Sequence, residues 1–260
     1  MAKIEKDIMK KNLDKILDNI VLLADDFGFR EEIDKFILMN LLISYGYLSK
    51  DKKIIFDKNI LYTDLYDDII FELGIVPITG AGCCRHITSL AKLILDKFKI
   101  ENNVAAALVT DSMINSNEML QISELIGQEL ECNHAVNVAK LNGKYVAFDL
   151  VFDQMADLYS IDKNLLTRFF RGQSVKGSYL IYNYSPFFEG RKNFDKIEPF
   201  SMEEQENFVR ECNNMVLVAR ANLDLLDDFY RENKPYMDEI DTNYQKVYTK
   251  ERRYRKWLEK

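Results

Sequence analysis

The sequence predicts an α+β fold in which helices lie at both ends of the chain and strands lie between them. Apolar residues recur at helical spacing near both termini, which favours amphipathic helices there. In the middle of the chain, the pair Asn142-Gly143 separates two stretches that alternate as strands do. Such a pair is the strongest short signal for a hairpin turn. Antiparallel strands beside segregated helices are typical of the α+β class.

The first half of the chain is predicted to be mainly helical. Gly28 is expected to end the first helix, and the stretch from Gly74 to Pro77 is expected to break the third. A fourth helix begins near Cys84, because apolar residues follow that position at helical spacing. The predicted helices span residues 4–26, 30–48, 64–73 and 84–99, and the predicted strands span 54–56 and 103–110.

The second half contains the hairpin and the C-terminal helices. Pro235 is expected to separate the last two helices, since proline cannot continue a helix from the preceding turn. The predicted strands span 132–141, 144–150 and 178–184, and the predicted helices span 161–171, 202–232 and 236–260. We predict three parts: an N-terminal helical segment over 1–60, a core over 61–200 and a C-terminal helical extension over 201–260.

Composition and charge narrow the classes of function. The 260 residues are 47% hydrophobic and 30% charged, which fits a globular chain with a sizeable core. The formal net charge of −7 argues against a broad nucleic-acid surface. No apolar run reaches the length of about 18 residues that would indicate a membrane span. The first residues lead into a charged amphipathic helix and do not resemble a signal peptide.

The cysteines indicate the compartment. Without a secretion signal, the four cysteines are expected to be free thiols and not a disulfide framework. We therefore predict a protein of a reducing compartment, the cytoplasm. The cysteines are Cys83, Cys84, Cys132 and Cys212.

One stretch, Gly80 to His86, has the composition of a nucleophile turn. Glycines leave room for a tight turn, and a cysteine follows them where the fourth helix begins. Backbone N–H groups and the macrodipole at a helix N-terminus favour the thiolate, which is the nucleophilic form of cysteine. A base and a group to orient it are then needed.

The predicted β-hairpin can supply both the base and the group that orients it. His134 lies on its first strand and Asp149 lies at the end of its second strand. Antiparallel pairing across the turn is expected to set the two nearly opposite each other. The carboxylate would then orient the imidazole, which would act as general base and acid for a cysteine.

These residues resemble the motifs of the transglutaminase-like superfamily of cysteine enzymes, which share a papain-type fold. Members carry Cys, His and Asp in this order, with a Gly-x-Cys-Arg motif followed by Asp or His. Here the match is Gly82-Cys83-Cys84-Arg85-His86, then His134-Ala135, then Phe148-Asp149, within residues 80–152. The family usually has a tryptophan after His-Ala, where this chain has Val136. The resemblance implies an antiparallel sheet packed on the cysteine-bearing helix, and it makes Cys84, which precedes the arginine, the nucleophile.

Three alternatives remain open at the level of residues. Cys83 could replace Cys84 as the nucleophile, and Asp153 could replace Asp149. The second alternative is a zinc site, since cysteine and histidine are zinc ligands, although the spacing lacks the usual Cys-x2–4-Cys pairs. The third is a relative of the same fold that has lost activity and serves as a binding module.

We therefore predict a catalytic triad of Cys84, His134 and Asp149. The expected reaction is attack on an amide carbonyl of a protein or peptide to give a thioester. Hydrolysis of a peptide or isopeptide bond is favoured, with a transglutaminase or deamidase as the alternative. No cofactor or metal is expected, and no nucleic-acid or membrane partner.

Overall fold

The computed structural model describes residues 2–56, 69–109, 134–148, 150, 179–182 and 221–249, with single positions at 203, 210, 214, 217 and 218. It confirms an α+β protein. The helices are α1 (Ala2–Asp26), α2 (Glu32–Ser44), α3 (Ile69–Ile75), α4 (Cys84–Lys97) and α5 (Leu223–Tyr244). The strands are β1 (Ile55–Phe56), β2 (Ala81–Gly82), β3 (Asn102–Val109), β4 (His134–Leu141), β5 (Lys144–Phe148) and β6 (Tyr179–Tyr182).

Several predictions lie outside the described residues. These are the helix at 161–171 and the boundaries at residues 60 and 200. The predicted division into three parts therefore stays a prediction.

Helix α2 ends earlier than its apolar pattern predicts, because the chain turns at Gly46. Gly46 has a φ of +70°, which residues with a side chain rarely adopt. A Cβ atom at this position would lie 2.6 Å from backbone atoms of Lys52 and Lys53. The loop that follows α2 can therefore fold back on itself only with glycine here.

Helix α3 ends within the stretch from Gly74 to Pro77 that is expected to break it, so this prediction is confirmed. The helix runs to Ile75 and continues as a 3-10 helix, Val76–Thr79. A Cβ atom at Gly74 would lie 2.5 Å from Cδ1 of Leu93 in α4. The glycine near this end thus also permits the close packing of α3 on α4.

The prediction that Pro235 separates two helices is wrong. Helix α5 continues through Pro235, and a π-helical turn, Gln245–Thr249, follows it. A proline inside a helix costs about 3 kcal/mol, because it removes one backbone hydrogen bond and crowds the preceding turn. Burial of α5 side chains against the rest of the protein offsets that cost, and these include Leu226, Phe229, Met237 and Ile240.

Four strands form an antiparallel sheet in the order β5-β4-β3-β6. The β4–β5 hairpin turns at Asn142 and Gly143, with φ of 50° and 82°. Both positive values are those of the turn that an Asn-Gly pair favours, so this prediction is confirmed. Strands β1 and β2 form a separate parallel pair.

Helix α4 lies between the sheet and the other helices. The Asn137 side chain in β4 donates a hydrogen bond of 2.9 Å to the backbone oxygen of Thr88 in α4. One buried apolar cluster includes residues of α1, α2, α4, β4, β5 and α5. Helices α1 and α5 are also joined by buried polar side chains, as in the 2.7 Å bond from Asn19 to Asn233. None of the helices in the described ranges combines the length and apolar content needed to cross a membrane.

Candidate functional site around the paired cysteines

The turn before the cysteines is held by the loop that follows α2. The 3-10 helix ends at Gly80, which has a φ of +99°. The Gly80 carbonyl accepts a hydrogen bond of 3.1 Å from the Ile55 N–H, and the Lys50 N–H donates to the Ile78 carbonyl at 3.0 Å. Strand β2 then pairs with β1 before α4 begins. The loop that follows α2 and strand β1 therefore hold the backbone that leads into the cysteine pair by hydrogen bonds.

Cys83 is the N-cap of α4, one residue before the helix. Cys83 and His86 form a capping box, in which each side chain faces a backbone N–H of the other residue. The Cys83 N–H donates to Nδ1 of His86 at 3.1 Å, and Sγ of Cys83 lies 3.1 Å from the same nitrogen. An unprotonated imidazole nitrogen has one lone pair in the ring plane, so these two contacts compete for it.

His86 is fully buried, and so is its second ring nitrogen, Nε2. Nε2 has no hydrogen-bond partner among the described residues. A buried polar atom without a partner costs about 1–3 kcal/mol. The ring therefore occupies a position that local stability alone does not favour, and its Nδ1 is directed at the Cys83 sulfur.

The surroundings of Cys83 favour its thiolate. Its pKa is lowered from 9.0 to about 4, first because the Cys84 side chain hydrogen-bonds to it. Burial acts in the opposite direction, while the hydrogen bond and the charge interaction with His86 and the positive charge of Arg85 add to the lowering. Arg85 is itself buried in the first turn of α4. A thiolate at neutral pH is the reactive form of cysteine.

Cys84 is oriented differently from its neighbour. Its side chain is half-buried and packs against Val104 of β3 and Ala135 of β4. The N-terminus of α4 thus lies on the sheet at the start of β4. Cys84 is therefore in contact with the residue that follows His134 in the chain.

The structure describes only part of the predicted triad. It describes the backbone of His134, which begins β4 and pairs with Ala107. Asp149 lies outside the described residues, and Phe148, the residue before it, pairs with Asn137. The triad of Cys84, His134 and Asp149 therefore stays a prediction.

Sequence reasoning placed little weight on the contact between Cys83 and His86. The signal was present, because a polar residue before a helix and a hydrogen-bonding residue three positions later form a capping box. Cysteine and histidine replace the usual serine and glutamate at these positions. In the part of the chain that the structure describes, no group of three or more metal-ligand residues is placed to hold an ion.

Comparisons with protein-family models, with curated proteins and with solved structures found no match to this chain.

Proposed function

We propose that this protein performs cysteine-dependent acyl chemistry on amide bonds of proteins or peptides, with hydrolysis favoured. The observation that carries the proposal is the thiol pair at the N-terminus of α4, where the surroundings of Cys83 favour a thiolate. Thiolates at helix N-termini attack acyl carbons to give thioesters. The helix N-terminus also offers backbone N–H groups, which can stabilise the negative charge that develops on the carbonyl oxygen.

The proposed reaction has two steps. The cysteine sulfur forms a bond to the acyl carbon, and the carbon–nitrogen bond breaks as the leaving amine takes a proton from the imidazolium of His134. Water then attacks the thioester carbon, its proton passes to His134, and the sulfur leaves as the thiolate. Asp149 is the proposed orienting group for the imidazole. An amine in place of water would make the enzyme a transglutaminase.

The triad makes two demands on the hairpin. The β4–β5 pairing must continue by one residue, which would set position 149 opposite Val136. Successive residues of a strand face opposite sides of its sheet. Ala135 and Asn137 both contact α4, so positions 134 and 149 must both depart from that alternation for the imidazole to reach a cysteine and keep its carboxylate partner.

This second demand supports a second candidate function. A chain that kept the alternation would retain the reactive thiol but lack a histidine on the α4 side of β4. Such a protein would be a binding module with a transglutaminase-like fold and no turnover. The same experiment separates the two candidates.

The experiment uses the full chain, a proteome-derived peptide mixture and mass spectrometry. We expect new peptide termini with the wild-type protein, and hydroxamates at the same bonds when hydroxylamine is the acceptor. Cross-links would identify acyl transfer to amines, and conversion of glutamine to glutamate would identify deamidation. The His134→Ala variant should lower the rate about 10²- to 10⁴-fold, the range for loss of a general base.

Control variants define the result that would contradict the proposed mechanism. A double variant with Cys83→Ser and Cys84→Ala should abolish all products, and its thermal unfolding should show that it is folded. Product formation that survives this double variant, or that is unchanged by His134→Ala, contradicts the proposed mechanism. A protein that binds peptides but yields no product in any sample is the binding module.

A further inference from the structure

Resting on the proposed function, we infer that Cys83, and not Cys84, carries the reactive thiolate, and that His86 is its positioning residue. The resemblance to transglutaminase-like enzymes favours the cysteine that precedes the arginine. The contacts around the two sulfurs favour the other one. Cys83 is the nucleophilic thiol of the pair whether the acceptor is water or an amine.

The direction of the hydrogen bonds distinguishes the two sulfurs. The Cys83 sulfur faces the backbone N–H of His86 and lies 3.1 Å from its Nδ1. The Cys84 side chain also hydrogen-bonds to the Cys83 side chain. A sulfur that accepts from several donors is stabilised as the thiolate. The capping-box geometry therefore favours Cys83 as the anion of the pair.

The surroundings of the two thiols also favour the thiolate at Cys83 over Cys84. Cys84 is at the first helical position and packs on the apolar side chains of Val104 and Ala135. Cys83 is at the N-cap, where the sulfur faces the first turn of α4 and is acted on by the charge of Arg85. The turn that precedes it approaches Asp51, whose carboxylate would lie 3.8 Å from a Cβ atom at Gly80.

The proton on His86 can follow the state of the sulfur. In the thiol state, Nδ1 accepts the Cys83 N–H, and the ring proton is on the buried Nε2. In the thiolate state, Nδ1 must carry a proton to face the sulfur at 3.1 Å.

The test is alkylation of the folded full-length protein by iodoacetamide at pH 5.5, with fragment ions that separate the two adjacent sites. We expect Cys83 to react at least about tenfold faster than Cys84, because only an ionised thiol is nucleophilic at this pH. Cys83→Ser should abolish the fast reaction and keep the fold, since serine is a favoured N-cap residue. Cys84→Ala should leave the fast reaction at Cys83 in place.

The His86→Asn variant tests the positioning role. Asparagine can accept the Cys83 N–H but cannot place a ring N–H against the sulfur, so the pH at which Cys83 becomes reactive should rise. Fast labelling of Cys84 that persists in Cys83→Ser would overturn the inference and leave the proposed function standing. Conversely, fast labelling of Cys83 without any peptide product would leave the inference standing and remove the proposed function.

Discussion

The pH dependence of Cys83 reactivity can be worked out from its surroundings. With a pKa of about 4, the Cys83 thiol is about nine-tenths ionised at pH 5, whereas a thiol of pKa 9.0 is ionised in about one molecule in 10⁴. A lower pKa also weakens the thiolate as a nucleophile. With a Brønsted slope of about 0.4–0.5, a difference of about five pKa units lowers its intrinsic rate about 100- to 300-fold.

Together, ionisation and nucleophilicity predict that the reaction rates of Cys83 and an ordinary thiol cross as the pH rises. At pH 5, Cys83 should react about 30- to 100-fold faster than an ordinary thiol, because ionisation outweighs nucleophilicity. At pH 8 it should react about 10- to 30-fold more slowly, since ordinary thiols are then partly ionised and more nucleophilic. The rates should be equal near pH 6.5–7, as the same values require.

The assay is thiol–disulfide exchange with a small neutral disulfide, followed by the initial release of its leaving thiol. A background with Cys132→Ser and Cys212→Ser leaves only the paired cysteines. We expect the rate of the folded protein to be nearly constant between pH 5 and 6, while the same protein unfolded in urea shows a tenfold rise. Adding Cys83→Ser should remove the constant component. A tenfold rise with pH in the folded background protein would refute the reasoning.

Two predictions concern stability. The folded pKa of Cys83 lies below its unfolded value of 9.0, so the unfolded chain binds more protons between pH 4 and 9 and the free energy of unfolding rises with pH. The stability that the Cys83 thiolate contributes is complete above pH 9 and is lost towards pH 4. Cys83→Ser should therefore flatten the dependence of the free energy of unfolding on pH, measured by urea unfolding, by at most about 1.4 kcal/mol per pH unit. A slope that this variant leaves unchanged would argue against an ionised Cys83. Gly28→Ala and Gly46→Ala form a matched pair, because both glycines have a positive φ but a Cβ atom would meet backbone atoms at 2.6 Å only at Gly46. Gly28→Ala should lower the free energy of unfolding by about 1 kcal/mol, and Gly46→Ala by about 3 kcal/mol or more, since overpacking adds to the cost of the backbone conformation. Equal losses in urea unfolding would show that the loop after α2 moves aside at little cost.

Local sequence signals predicted much of the secondary structure. The period of the apolar residues predicts α1 and α4 closely, because each helix buries one face and exposes the other. The Asn142-Gly143 turn and the strands beside it follow from backbone preferences that act within a few residues. A cysteine at the N-terminus of α4 is similarly a local feature, and so is the histidine three positions after Cys83.

Other features depended on contacts between segments far apart in the chain. Pro235 lies inside a helix because packing against other elements outweighs its local preference to end one. Only the tertiary structure places Ala135 against Cys84 and buries His86, and so makes the two adjacent thiols unequal. The sequence by itself determined that a pair of cysteines lies where a helix begins. Which sulfur is the thiolate depends on hydrogen bonds and burial that exist only once α4 is packed on the sheet.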